Sequence, residues 1–82
     1  MTWSRKLSRV LYTIDGEALK TLSDARAYAV ELPENYSRRN HWQHAAKLMV
    51  EAAEGGDIEA ATRQVELALV LDMRLDFAKM PA

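Results

Sequence analysis

At 82 residues with no cysteine, the chain is one small domain that no disulfide or thiolate metal site can staple, and thiol nucleophiles are excluded. Its 49% hydrophobic and 28% charged residues mark a globular rather than a disordered chain, and a formal net charge of -1 makes it no general polyanion binder. That charge is polarised, with eight Lys/Arg against five Asp/Glu in residues 1–47 (+3) and three against seven in residues 48–82 (-4), which can steer a partner or favour contacts between copies.

Met1 to Lys6 lead into no apolar signal-peptide core, and the longest apolar run, Leu67 to Leu71, is far too short to span a bilayer. A cytoplasmic location is therefore expected, with residues 1–6 and 78–82 frayed. Val10-Leu11-Tyr12-Thr13-Ile14 is rich in β-branched and aromatic residues and runs straight into Asp15-Gly16, a strong β-hairpin signal. A two-residue loop there sets Ile14 against Glu17, Tyr12 against Leu19 and Val10 against Thr21. One face then carries Val10, Tyr12, Ile14 and Leu19.

Thr21-Leu22-Ser23-Asp24-Ala25 predicts a helix start in which Ser23 caps, Asp24 meets the positive end of the helix and Leu22 staples. Ala25, Tyr28, Ala29 and Leu32 share one side of this first helix, and Pro33 ends it near Glu31 or Leu32. Pro33 to Tyr36 form the expected linker, and Ser37 is the expected cap of a second helix. Trp42, Ala45, Ala46, Met49, Ala52 and Ala53 share a face of that helix.

Gly55-Gly56-Asp57 then separates two helical patterns. A glycine just past a helix supplies a left-handed C-cap, and an aspartate just before the next is a preferred N-cap. So short a break predicts an antiparallel helical hairpin. The third helix presents Ile58, Ala61, Val65, Ala68 and Leu69 to its neighbour, and alanine at facing positions lets axes approach to about 8 Å. A second apolar set, Leu67, Val70 and Leu71, lies well off that face, and a helix apolar on two sides is normally covered on both. Asp72 to Ala82 are expected to extend this helix briefly before fraying. The fold expected is α+β and mostly helical: an N-terminal two-stranded β-hairpin packed on three helices, the last two an antiparallel pair.

Two groups of residues are candidates for function. Leu67, Val70, Leu71, Met73 and Phe77 form an apolar set larger than one partner helix covers, which points to a docking or self-association surface, a homodimer being the simplest form. Arg38, Arg39, His41 and Trp42 place positive charge at a helix start, where the macrodipole disfavours it unless an anion sits there. With Arg5, Lys6 and Arg9 they are the alternative, a small nucleic-acid-binding regulator. His41 and His44 lie three apart on one helix but lack the further ligands that zinc needs, so no metal site is assigned. His44 is the residue expected to make a pH-dependent contact. No phosphate-cradling glycine loop or paired carboxylate stands out, so neither catalysis nor a cofactor is expected.

Ile14-Asp15-Gly16-Glu17, Thr21-Leu22-Ser23-Asp24-Ala25, Trp42 with Ala45 and Ala46, and Gly56-Asp57 leading into Ala60-Ala61-Thr62 together resemble a group of short bacterial proteins of unknown function. The resemblance spans nearly the whole chain and implies a bacterial cytosolic origin. Its motifs are structural punctuation and imply no activity.

Overall fold

The computed structural model describes residues 2–80; Met1, Pro81 and Ala82, and the fraying expected of them, lie outside it. Two strands, β1 (Lys6–Tyr12) and β2 (Ala18–Thr21), pair antiparallel, and four helices follow: α1 (Leu22–Glu31), α2 (Glu34–Ser37), α3 (Asn40–Ala53) and α4 (Ile58–Leu71). The architecture is α+β and mostly helical, with a β-hairpin ahead of the helices and a helical hairpin at the C-terminal end. The extra helix is α2, a single turn in the stretch expected to be linker.

The hairpin turns one residue differently from the expected register. Thr13 and Glu17 close the loop: the Thr13 N–H donates to the Glu17 carbonyl at 3.0 Å, and the Gly16 N–H donates to the Thr13 carbonyl at 3.1 Å. The loop is therefore three residues, Ile14 to Gly16, and Gly16 takes the left-handed conformation (φ 87°) that such a loop demands. Leu11 now faces Leu19 and Tyr12 faces Ala18. Relative to Leu19 the slip turns the side chains of the first strand to the opposite face, so Leu7, Leu11 and Thr13 are buried while Ile14 is exposed. The expected inner face of Val10, Tyr12 and Ile14 is corrected accordingly, and only Leu19 keeps its place.

Helix α1 starts two residues earlier than expected. Thr21, not Ser23, is the cap, and it forms a capping box with Asp24: Thr21 Oγ1 accepts from the Asp24 N–H, and Asp24 Oδ2 accepts from the Thr21 and Lys20 N–H groups. These backbone donors, the Lys20 N–H foremost, hold the Asp24 carboxyl below its ordinary value. Pro33 ends the helix after Glu31 as expected. Ser37 is not a cap; Arg39 stands at the start of α3, with no side-chain cap bond.

Between α3 and α4, Gly55 (φ 100°) and Gly56 complete a Schellman turn, their N–H groups donating to the Ala52 carbonyl (3.1 Å) and the Glu51 carbonyl (2.8 Å). Asp57 caps α4 through the Glu59 and Ala60 N–H groups. Residues 2–6, expected to fray, are tied to this corner. The Thr2 N–H donates to the Ala53 carbonyl at 2.7 Å, and Arg5 Nη1 donates to the carbonyls of Ala52 (3.0 Å) and Gly56 (2.6 Å). A cation on the orphan carbonyls of a helix end is favourable both as a hydrogen-bond donor and against the helix dipole.

The core is one cluster running from Leu7, Leu11 and Leu19 on the hairpin through Leu22 and Ala25 to Trp42, Ala45, Met49 and Ala52 of α3 and Ala61, Val65, Ala68 and Leu69 of α4. Met49 and Leu69 thus belong to it. The chain after α4 does not extend the helix. It turns back, Leu75 bridges to Thr13, and the Asp76 N–H donates to the Tyr12 carbonyl at 2.8 Å, so a short third extended segment lines the edge of β1 opposite β2. Among the described residues no helix is long and apolar enough to cross a membrane.

Candidate functional site

Helix α4 carries its buried residues at Ala61, Thr62, Val65, Ala68 and Leu69, the 3.6-residue stripe that meets α3 and the hairpin. β1 crosses the Thr62 side of the helix. The Ser8 N–H donates to Thr62 Oγ1 at 3.0 Å, and Arg9 reaches Glu59 (3.1 Å) and Glu66 (2.6 Å). Leu67 (46% exposed), Val70 (36%) and Leu71 (55%) remain open to solvent, as do Met73 (82%) and Phe77 (65%) beyond the helix end. The structure brings three of these five together: Leu67, Val70 and Phe77 line an open groove of about 620 Å³ with Leu75 and Met80, rimmed by Arg9, Arg63 and Glu66. Leu71 and Met73 are exposed outside that lining.

Where the end of α4 meets the start of α3 lies a polar clasp that is not among the expected sites. Asp72, the residue just past α4, has a side chain with no solvent exposure. Its Oδ1 meets Arg39 Nη1 at 2.7 Å and His41 Nε2 at 3.0 Å, and its Oδ2 accepts from the Trp42 indole N–H at 2.6 Å. Burial works to raise the Asp72 pKa, but Trp42, His41 and Arg39 outweigh it and hold the carboxyl below its ordinary value. The anion that the basic start of α3 calls for is thus supplied from within the chain. Arg38, the remaining member of that set, pairs with Glu34 one turn earlier on the surface. His44 is exposed, and His41 rather than His44 makes the carboxylate contact.

A second polar cluster adjoins the first. The Tyr28 hydroxyl donates to Asp15 Oδ2 at 2.6 Å, and Arg74 Nη1 donates to the Tyr28 oxygen (3.2 Å) and to Asp15 (3.3 Å). Burial and the Asp15 carboxylate push the Tyr28 pKa up, against the opposing pull of Arg74. The Arg39 and Arg74 guanidiniums both sit over the Tyr36 ring, 4.6 and 4.7 Å from its centroid. Asp72 and Arg74 therefore anchor the start of the segment that carries Phe77. A signal for this clasp was present in the sequence. Positive charge at a helix start and Asp72 at a helix end are each disfavoured alone, and they are relieved by pairing.

Chemically the two clusters hold position. Among the described residues no buried side-chain nitrogen or oxygen lacks a hydrogen-bond partner, and no group of three or more His, Cys, Asp or Glu is arranged to hold a metal ion. No protein-family model, no curated protein and no solved structure matches the chain.

Proposed function

We propose that this protein is a non-catalytic protein–protein interaction module that self-associates through α4 and the segment that follows it. The observation that carries the reading is the set of large apolar side chains left uncovered there, Leu67, Val70, Leu71, Met73 and Phe77. Three of them, Leu67, Val70 and Phe77, line one groove with a charged rim, and apolar surface with a polar rim is the usual mark of an interaction site. The reading takes the form of a cytoplasmic homodimer and invokes no cofactor.

Sedimentation or light scattering across micromolar to millimolar concentrations tests it. The wild type should be dimeric at the upper end, and Leu67→Asp and Phe77→Asp should each give a folded monomer. Both positions are exposed in the isolated chain, so the charge enters no core. A wild type that stays monomeric over the whole range would sink the reading.

A further inference from the structure

A second apolar concavity lies away from α4, between α1 and α3. Its lining is Trp3, Arg26, Ala29, Val30, Ser37, Trp42, Gln43, Ala46, Met49 and Val50, around about 600 Å³. The hydrogen bonds show how it is bounded. At one end Trp3 ties the start of α1 to the corner at the end of α3, its carbonyl accepting from the Ser23 N–H at 2.8 Å, next to the Thr2–Ala53 bond. At the other end α2 joins the end of α1 to the start of α3, and Gln43 Nε2 donates to the Ser37 carbonyl at 2.8 Å. The space is therefore a short trough stopped at both ends, of the size of small-molecule sites rather than of a continuous peptide groove.

Its charge is one-sided. Arg26 is the single charged residue in the lining, and among the described residues no carboxylate lines it and Arg26 takes part in no ion pair. The guanidinium sits 4.9 Å from the Trp3 ring centroid, at the stopped end of the trough. Stacking on an aromatic face orients a guanidinium while leaving its in-plane N–H fork free for a carboxylate. The exposed Val30 and Val50 and the small Ala29 and Ala46 add apolar surface to the lining.

We propose that this trough binds a small amphipathic carboxylate, its acid group on Arg26 and its apolar body against Trp3, Ala46 and Met49. The proposal is independent of self-association through α4. Trp3 and Trp42 are the only two tryptophans of the chain and both line the trough, so indole emission reports on its occupancy.

The experiment titrates the protein with decanoate below its micellar range, with decanol as the neutral comparison, and follows tryptophan emission. A saturable change is expected with decanoate, weakened about tenfold by Arg26→Gln and to a similar degree for decanol. Ala46→Phe, at an exposed position that fills the trough, should abolish it with the circular dichroism spectrum unchanged. Leu67→Asp should bind as the wild type does. The proposal is overturned by no saturable response, by decanol and decanoate binding equally, or by binding that survives Ala46→Phe. Binding lost in Leu67→Asp would also overturn it, by assigning the ligand to the α4 groove.

Discussion

Met73 is the one non-glycine residue with a positive φ (56°) among the described residues, and it closes α4 by the same turn that Gly55 closes α3. The Met73 N–H donates to the Val70 carbonyl (3.0 Å) and the Arg74 N–H to the Leu69 carbonyl (2.7 Å), a full Schellman motif with a bulky residue at its left-handed position. Met73→Gly should therefore stabilise the fold by about 1 kcal/mol in chemical denaturation, because the left-handed penalty of a side chain exceeds the entropy cost of glycine there. Gly55 was legible as a cap because the sequence signals left-handed backbone with glycine; Met73 gave no such signal. Asp72, next to it, sets a pH limit. The folded carboxyl lies below the ordinary aspartate value of about 3.9, so the unfolded chain takes up the proton first as pH falls. The stabilisation is complete above that ordinary value and is lost as pH drops through the folded one. Asp72→Asn should cost about 2 kcal/mol at neutral pH, since it removes the charge that Arg39 and His41 face. It should also flatten the acid limb of a stability-against-pH curve, and an unchanged acid limb would assign the acid sensitivity to other carboxylates.

The elements are largely readable in the sequence, and the departures from it have physical causes. Asp15-Gly16 correctly located a turn, but Thr13 decided its length. Its buried hydroxyl accepts from the Glu17 N–H at 3.2 Å and fixes a three-residue loop that the dipeptide alone does not specify. Thr21 and Ser23 are both good caps, and the Asp24 side chain selected Thr21 by closing the box three residues on. Periodicity gives most of the inner faces of α3 and α4 because it reports burial, though Ala46 is exposed and the buried Thr62 is unexpected there; the tie of residues 2–6 to the α3 end is non-local and leaves no pattern. The joint between hairpin and helix is equally non-local and rests on Thr62. Fully buried, Thr62 donates to the Ile58 carbonyl at 2.8 Å and accepts from the Ser8 N–H, in the stretch between Lys6 and Leu11 over which the β1–β2 register shifts. Thr62→Val keeps the shape but strands the Ser8 N–H, so it should destabilise by about 2 kcal/mol, with Thr62→Ser less affected. Hydrogen exchange read at the Ser8 amide checks the cause. Protection retained in the valine variant would show that another acceptor takes over.

The Cα frame of the whole molecule spans 30 × 29 × 17 Å, thin enough that no helix is surrounded by its own chain. The accessible surface, 5003 Å², nevertheless matches the roughly 5000 Å² expected of a well-folded monomer of this mass. The exposed apolar set on α4 is therefore not a symptom of loose packing; the interior is closed, and these side chains are surplus to it. A standard interface buries about 800 Å² on each partner, around a sixth of this surface, and so small a chain gains proportionately more from such burial than a large one. Association of folded chains draws the unfolding equilibrium by mass action, so the wild-type melting temperature should rise with protein concentration. Each tenfold increase above the dimer dissociation constant adds about 1.4 kcal/mol per dimer, a shift of a few degrees for a domain of this size. The Leu67→Asp, Phe77→Asp double variant should melt at one temperature at every concentration, with its far-ultraviolet spectrum unchanged. A wild-type melting temperature that is equally flat, measured reversibly from micromolar to millimolar, would mean that the surplus apolar surface serves no second copy, and the same surface would then have to be matched to a different protein.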